Sequence, residues 1–338
     1  MGGPLANQKR TPQLGNIRAL CIFLVVLGHS IILYSSAWDL YSTEVSAPVL
    51  DLMKKFIDPI QMPLFFSLSV YLFVFTHSKH RGFLSLLRAK ALRLLVPYFG
   101  IGLMYMLPIR LAIGYPGYQG KTAVQLLTNF LLSSDVGHLW FLPALFVIFL
   151  LAEVILTTAK KLPLARRAPA VFLGVAALAL YLEGYRISLG YAPLQSAYSN
   201  LLWFAWGYGL CTYREAVQAI CRRWAVKLLL SVLALGLLGY QILVAPMSVT
   251  MTLAAKGLFI ASVYSVIPGK QWDIAEKIDR SSFGIYLFHS PLIYITFALI
   301  PNAHPAIVVF INLVVFGSVA YGLTELVRGT KLKVLIGE

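Results

Sequence analysis

Arg18 and His29 stand eleven positions apart in one apolar run, Asn16 to Ser30. On a helix, eleven steps of about 100° make three turns plus about 20°, so both side chains share a face, roughly 16 Å apart along the axis. They cannot touch, but they can line one path. Arginine supplies charge-assisted donors, and histidine, whose ordinary pKa lies nearest neutrality, supplies a general base. His138 opens a later apolar run, Gly137-His138-Leu139-Trp140-Phe141-Leu142-Pro143, at a depth from which it could approach His29. Glu153 lies further along that run, and Glu325 lies in the last one. His289 precedes Ser290-Pro291, where the proline leaves a carbonyl without its helical donor. Ionisable groups in apolar spans mark a functional path or a buried partner. Each also has a plainer use: Arg18 can snorkel to an interface, and the histidines can pack helices.

The elements that carry these residues are membrane helices. Of 338 residues, 59% are hydrophobic and 12% charged, against about 25% charged in soluble domains. Runs near the length needed to cross hydrocarbon recur along the chain, at 17–36, 56–76, 94–113, 138–158, 168–185, 197–213, 226–244, 249–267, 283–300 and 306–327. The expectation is an all-α polytopic bundle of about ten transmembrane helices forming a single domain over 1–338, with no room beside them for a soluble one. The first run follows Lys9 and Arg10 but no small-residue cleavage site follows it, so it reads as a retained helix.

The net charge of +15 would suggest nucleic acid in a soluble protein, but its distribution argues for topology instead. Lys and Arg number 21 in one set of alternate segments and five in the other. That bias predicts both termini on the cytoplasmic side of a multi-pass cell-membrane protein, with the bilayer as partner and no nucleic acid. The three cysteines suggest neither a disulfide framework nor a metal site.

The cytoplasmic segment around 77–93 reads as a short basic helix feeding the third span. Its Arg88, Lys90 and Arg93 suit either phosphate binding or anchoring to lipid headgroups. The outer loops carry Trp38, Tyr41, Tyr115 and Tyr118 among Asp39, Glu44 and Asp135. Such a mixture suits stacking on sugars or an interfacial aromatic belt. Asp279-Arg280-Ser281-Ser282 opens the ninth span, with Ser281 or Ser282 as a cap.

Taken in order, the motifs resemble one family. They are Arg18-x10-His29, Met62-Pro63-Leu64-Phe65-Phe66-Ser67-Leu68-Ser69, Arg93-Leu94-Leu95-Val96-Pro97-Tyr98, His138-Leu139-Trp140-Phe141-Leu142 and Ser282 through Pro291. The set resembles the membrane acyltransferase-3 family across nearly the whole chain. Two positions depart from it. Lys90-Ala91-Leu92-Arg93 stands where the family often has Arg-x-x-Arg, and Ser69-Val70 where it usually has Ser-Gly. Lysine keeps the charge but loses the bidentate fork.

The resemblance implies an O-acyltransferase that takes an acyl group, acetyl by default, from cytoplasmic acyl-CoA. The group goes to a hydroxyl of an extracytoplasmic glycan or lipid-linked saccharide, such as a surface polysaccharide. Arg88, Lys90, Arg93 and Arg18 would hold the coenzyme. His29 would act as general base or transient acyl carrier, with His138 orienting it or the acceptor. His289 and Glu153 are further candidates. A transporter or flippase of a lipid-linked sugar is the alternative, and it would predict repeated halves and paired broken helices, which the sequence does not display.

Overall fold

The computed structural model describes residues 11–77, 82–270 and 272–338. Lys9, Arg10, Lys79 and Arg81, counted in the charge bias, lie outside them. All ten expected spans fall on helices, and among the described residues there is no strand. In chain order they are α1 (Pro12–Ser30), α2 (Pro48–His77), α3 (Phe83–Ala112), α4 (Gly137–Lys161), α5 (Pro169–Arg186), α6 (Ala192–Thr212), α7 (Trp224–Leu243), α8 (Val249–Val266), α9 (Asp273–Leu299) and α10 (Pro305–Arg328). Among the described residues, eight are long and apolar enough to cross a membrane.

Proline explains several helix starts. It occupies the first turn of α1, α5, α6 and α10, where its missing N–H would have had no partner and its φ already suits a helix. Two starts differ from the sequence reading. The second helix begins at Pro48 rather than near 56, so Lys54 and Asp58 are helical and form an i,i+4 pair. The ninth begins at Asp273 rather than near 283, so neither Ser281 nor Ser282 caps it. Asp273 and Glu276 in its first turn complement the helix dipole there. Ser282 instead bonds back to the Asp279 carbonyl, and Ser281 donates to Glu325.

Helices α1 and α9 pack side by side and run parallel, with Arg18 meeting Asp279 near their starts and His29 meeting His289 further on. α10 packs on α9, while α2, α4 and α5 pack on α6. Residues 11–18 and the C-terminal segment lie at the same end of the bundle. There Gln13 donates to the Tyr264 and Ile267 carbonyls, and Arg328 pairs with Glu338. α7 and α10 leave much apolar surface exposed, including Leu228, Leu229, Val232, Phe310 and Val314, as a lipid-facing helix does.

The Ser69-Val70 departure does not keep the second helix away from its neighbours. One turn off, α2 and α6 approach until a Cβ on Gly207 would lie 2.2 Å from the Ser67 carbonyl oxygen. Only glycine permits that distance, because the atom in the way is backbone. Small residues at a crossing let membrane helices gain contact over their whole length. Gly207→Ala should therefore force the helices apart and cost about 1–3 kcal/mol or more. Thermal unfolding of the purified protein in detergent checks this: a midpoint within a degree of the parent's would contradict the crossing.

Candidate active site

The shared face of Arg18 and His29 is turned toward α9. At one end Arg18 Nη1 lies 2.6 Å from Asp279 Oδ1, and both side chains are largely buried. At the other, His29 meets His289, with ring centroids 5.0 Å apart. His138 completes a triangle, 5.3 Å from His289 and 6.4 Å from His29. The sequence brings forward all three histidines, and the fold brings them together.

Backbone carbonyls assign the protons. His29 Nδ1 lies 2.8 Å from the Val25 carbonyl, so that nitrogen carries the hydrogen and donates. His289 Nδ1 faces the Ile285 and Tyr286 carbonyls at 3.0 and 2.8 Å and is likewise the donor. His289 Nε2 is then an acceptor, and at 3.3 Å it shares the His29 Nδ1 hydrogen. This leaves Nε2 of His29 with its lone pair uncommitted. His29 is also the one member of the triangle that is not fully buried.

Pro291 determines the third ring. It has no N–H to give the Leu287 carbonyl four residues earlier, as its presence inside a helix predicts. His138 Nε2 takes that carbonyl at 3.1 Å. The other nitrogen of His138, Nδ1, is thereby an acceptor, and it is buried with no partner. The Tyr286 hydroxyl donates to the His138 carbonyl, locking the turn at the start of α4 from the same helix.

Two wide π turns brace the triangle from outside. One, Gly102–Met106 in α3, presents Tyr105, whose hydroxyl donates to the Phe288 carbonyl at 3.1 Å. The other, Ile311–Phe316 in α10, presents the buried Asn312, which bonds Ser30 O at 3.4 Å and accepts from Thr296 at 2.7 Å. Neither was read from sequence. A π turn leaves no compositional mark, although an asparagine inside an apolar run is itself a signal of an interhelical bond.

Below the triangle lies a cavity of about 400 Å³. Arg18, Lys90, Arg93, Asp279, Arg280 and Arg328 line its charged part, and Phe65, Phe141, Leu145 and Phe283 its apolar part. Tyr286 stands between that apolar part and the triangle, 5.7 Å from Phe141 and 5.4 Å from His138 by ring centroid. Of the four cofactor candidates, Arg18, Lys90 and Arg93 line the cavity. Arg88 is exposed and does not, because its position on α3 faces away. Lys90 is buried, donating to the Leu72 carbonyl at 3.1 Å with its ammonium 4.2 Å from the Phe149 ring centre. Glu153 accepts from Thr157 and is not among the residues lining the cavity. Glu325 pairs with Arg328 at the helix end.

The sequence does not single out Asp279 and Arg280 as site residues, because the ninth apolar run starts only near 283, nor Arg328, because it falls just past the last apolar run. A buried arginine needs an anionic partner, so Arg18 itself was the signal for Asp279. The outer aromatics pack on one another. Tyr41 lies 6.0 Å from Tyr294 and 6.3 Å from Tyr115, and burial pushes its hydroxyl up to about 12. Arg110, in the last turn of α3, is wholly buried against them, its guanidinium 4.2 Å from the Tyr115 ring centre.

A family model described as an acyltransferase domain matches residues 12–323. The chain belongs to the membrane acyltransferase-3 family. The match covers every residue of the triangle and all of the cavity's lining except Arg328 and residues 336–338. No curated protein and no solved structure matches the chain. Family membership makes the protein a membrane acyltransferase.

Pro291→Ala supplies the N–H that the Leu287 carbonyl lacks, so His138 loses its exclusive partner. Activity should fall about tenfold or more while the helix keeps or gains stability, since misplacing a reacting group is costly. His138→Ala added to Pro291→Ala should then cost less than His138→Ala alone. Additive losses in that double-mutant cycle would contradict the link.

Proposed function

We propose that the protein transfers an acyl group, by preference acetyl, from acyl-CoA at the cytoplasmic face to a hydroxyl of a carbohydrate on the outer side of the cell membrane. The parallel pairing of α1 and α9 carries this reading. It sets a cationic cavity mouth at one level and an uncommitted imidazole nitrogen at another, roughly 16 Å away. That separation is comparable to the length of a pantetheine arm.

In this reading Arg93 and Lys90, with Arg18, Arg280 and Arg328, hold the phosphates of the donor substrate. The apolar upper part of the cavity, at Phe65, Phe141 and Leu145, takes the acyl thioester. His29 Nε2 removes the proton from the acceptor hydroxyl as its oxygen attacks the thioester carbonyl. The carbon–sulfur bond then breaks, and the thiolate takes the proton back from His29. His289 acts through His29, holding its Nδ1 hydrogen so that Nε2 stays the base. His138 Nδ1, an acceptor without a partner, can take a hydrogen bond from the acceptor hydroxyl and orient it. A two-step path through an acyl-histidine uses the same Nε2 atom.

Membranes supplied with radiolabelled acetyl-CoA test this by following label into surface glycan. His29→Ala should lose about 10²–10⁴-fold in transfer. Arg93→Ala should instead raise the KM for acetyl-CoA with a smaller effect on kcat. Unchanged labelling in an equally abundant His29→Ala protein would remove His29 as the base. Label that never reaches glycan in the parent would remove the proposed donor and acceptor.

A further inference from the structure

A second cavity, also of about 400 Å³, lies between α2, α5, α6 and α8. It is lined by Asp58, Pro59, Asn200, Trp203 and Lys256 among others, a polar set for a space inside a helix bundle. Its volume is within the range of small-molecule sites. It stands at the level of the histidines. Asp58 Oδ1 accepts from Gln61 at 3.1 Å, and Gln61 packs so closely on Gly28, the residue before His29, that a Cβ there would lie 2.9 Å from Gln61 Oε1.

We infer that this cavity binds the acceptor, and that the acceptor is a saccharide carrying an anionic group. The inference rests on the acyltransferase reading for the word acceptor; the ligand class comes from the cavity itself. Lys256 lies within a span, its ammonium 6.0 Å from the Trp203 ring centre, and among the described residues no carboxylate pairs with it. A lysine held at membrane depth without a carboxylate is costly unless something anionic meets it. Asp58 is not that partner, because it pairs with Lys54.

Around the cation the walls supply acceptors for hydroxyls. Pro63 has no N–H to give the Pro59 carbonyl, and Pro59 lines the cavity. A carbonyl freed in this way is satisfied by a neighbouring group or by what fills the space beside it. Asn200 uses Nδ2 on the Ser196 carbonyl at 2.9 Å, leaving Oδ1 as an acceptor. Gln195 is spent on the rim, donating to the Gly184 carbonyl and accepting from Leu189 N at 3.1 Å, so it shapes the opening between α5 and α6. One cation without a carboxylate, a free amide oxygen on Asn200 and an aromatic wall at Trp203 describe an acidic sugar better than an acyl chain.

The full chain in phosphatidylcholine nanodiscs, applied to an array of anionic and neutral oligosaccharides, tests this without requiring turnover. Anionic saccharides should be retained over neutral ones. Lys256→Met should lower retention at least tenfold, Lys256→Arg should restore most of it, and Arg93→Ala should leave it unchanged. Acetyl-CoA binding by the same preparations reports the other cavity and the fold, and Lys256→Met should keep it. Retention of no saccharide, equal retention of neutral ones, or indifference to Lys256→Met would overturn the inference. So would native mass spectrometry showing a co-purified anionic lipid that Lys256→Met loses, since the cavity would then hold a headgroup. If acetyl-CoA is not bound while retention still follows Lys256, the donor reading fails and this one stands.

Discussion

Hydrocarbon offers no hydrogen bonds, so each polar group carried into the bundle has to find its partner within the protein. The carbonyl of Leu287 is the case on which the site depends. Pro291 deprives it of its helical donor, and His138 supplies one from a different helix. A local defect in α9 thereby becomes a tertiary bond to α4 and decides which nitrogen of His138 bears the proton. The same economy repeats nearby, where Ser30 O at the end of α1 is met by Asn312. Helix ends leave such carbonyls open.

Once these bonds are in place, the histidine triangle is an ordered set of donors and acceptors. Three ring nitrogens are held to carbonyls, and His289 Nε2 is held to His29. The uncommitted positions are Nε2 of His29 and Nδ1 of His138. General base chemistry needs a lone pair that the protein itself has not consumed. Rigid donors on the remaining atoms keep it available. The braces from Tyr105 and Asn312 act on the two helices that carry His289 and His29, so they limit the sliding that would exchange partners.

The ionic end follows a different logic. Arg18 and Asp279 form a largely buried pair, and removing one member of such a pair leaves an uncompensated charge. Around them Lys90, Arg93, Arg280 and Arg328 outnumber Asp279 and Glu338, so the cavity mouth retains a positive surplus. The surplus suits a polyanion, and the apolar upper part suits a thioester. Lys90 in place of arginine sits over Phe149, where a compact ammonium fits a buried ring face.

Composition and run length are enough to read the all-helical class and the positions of the spans, because hydrocarbon thickness imposes a length that apolar runs display directly. The eleven-residue spacing placed Arg18 and His29 on one face, since helical geometry is local. Pro291 announced a free carbonyl for the same reason. Sequence could not say what takes that carbonyl, that His289 is a direct neighbour of His29, or that Asp279 answers Arg18. Those pairings join residues more than 140 positions apart. Nor could it separate Arg88, which is exposed, from Lys90 and Arg93, which line the cavity. Which helices stand side by side, and at what register, is settled by packing across the whole bundle. Only that packing turns a list of polar residues into a site.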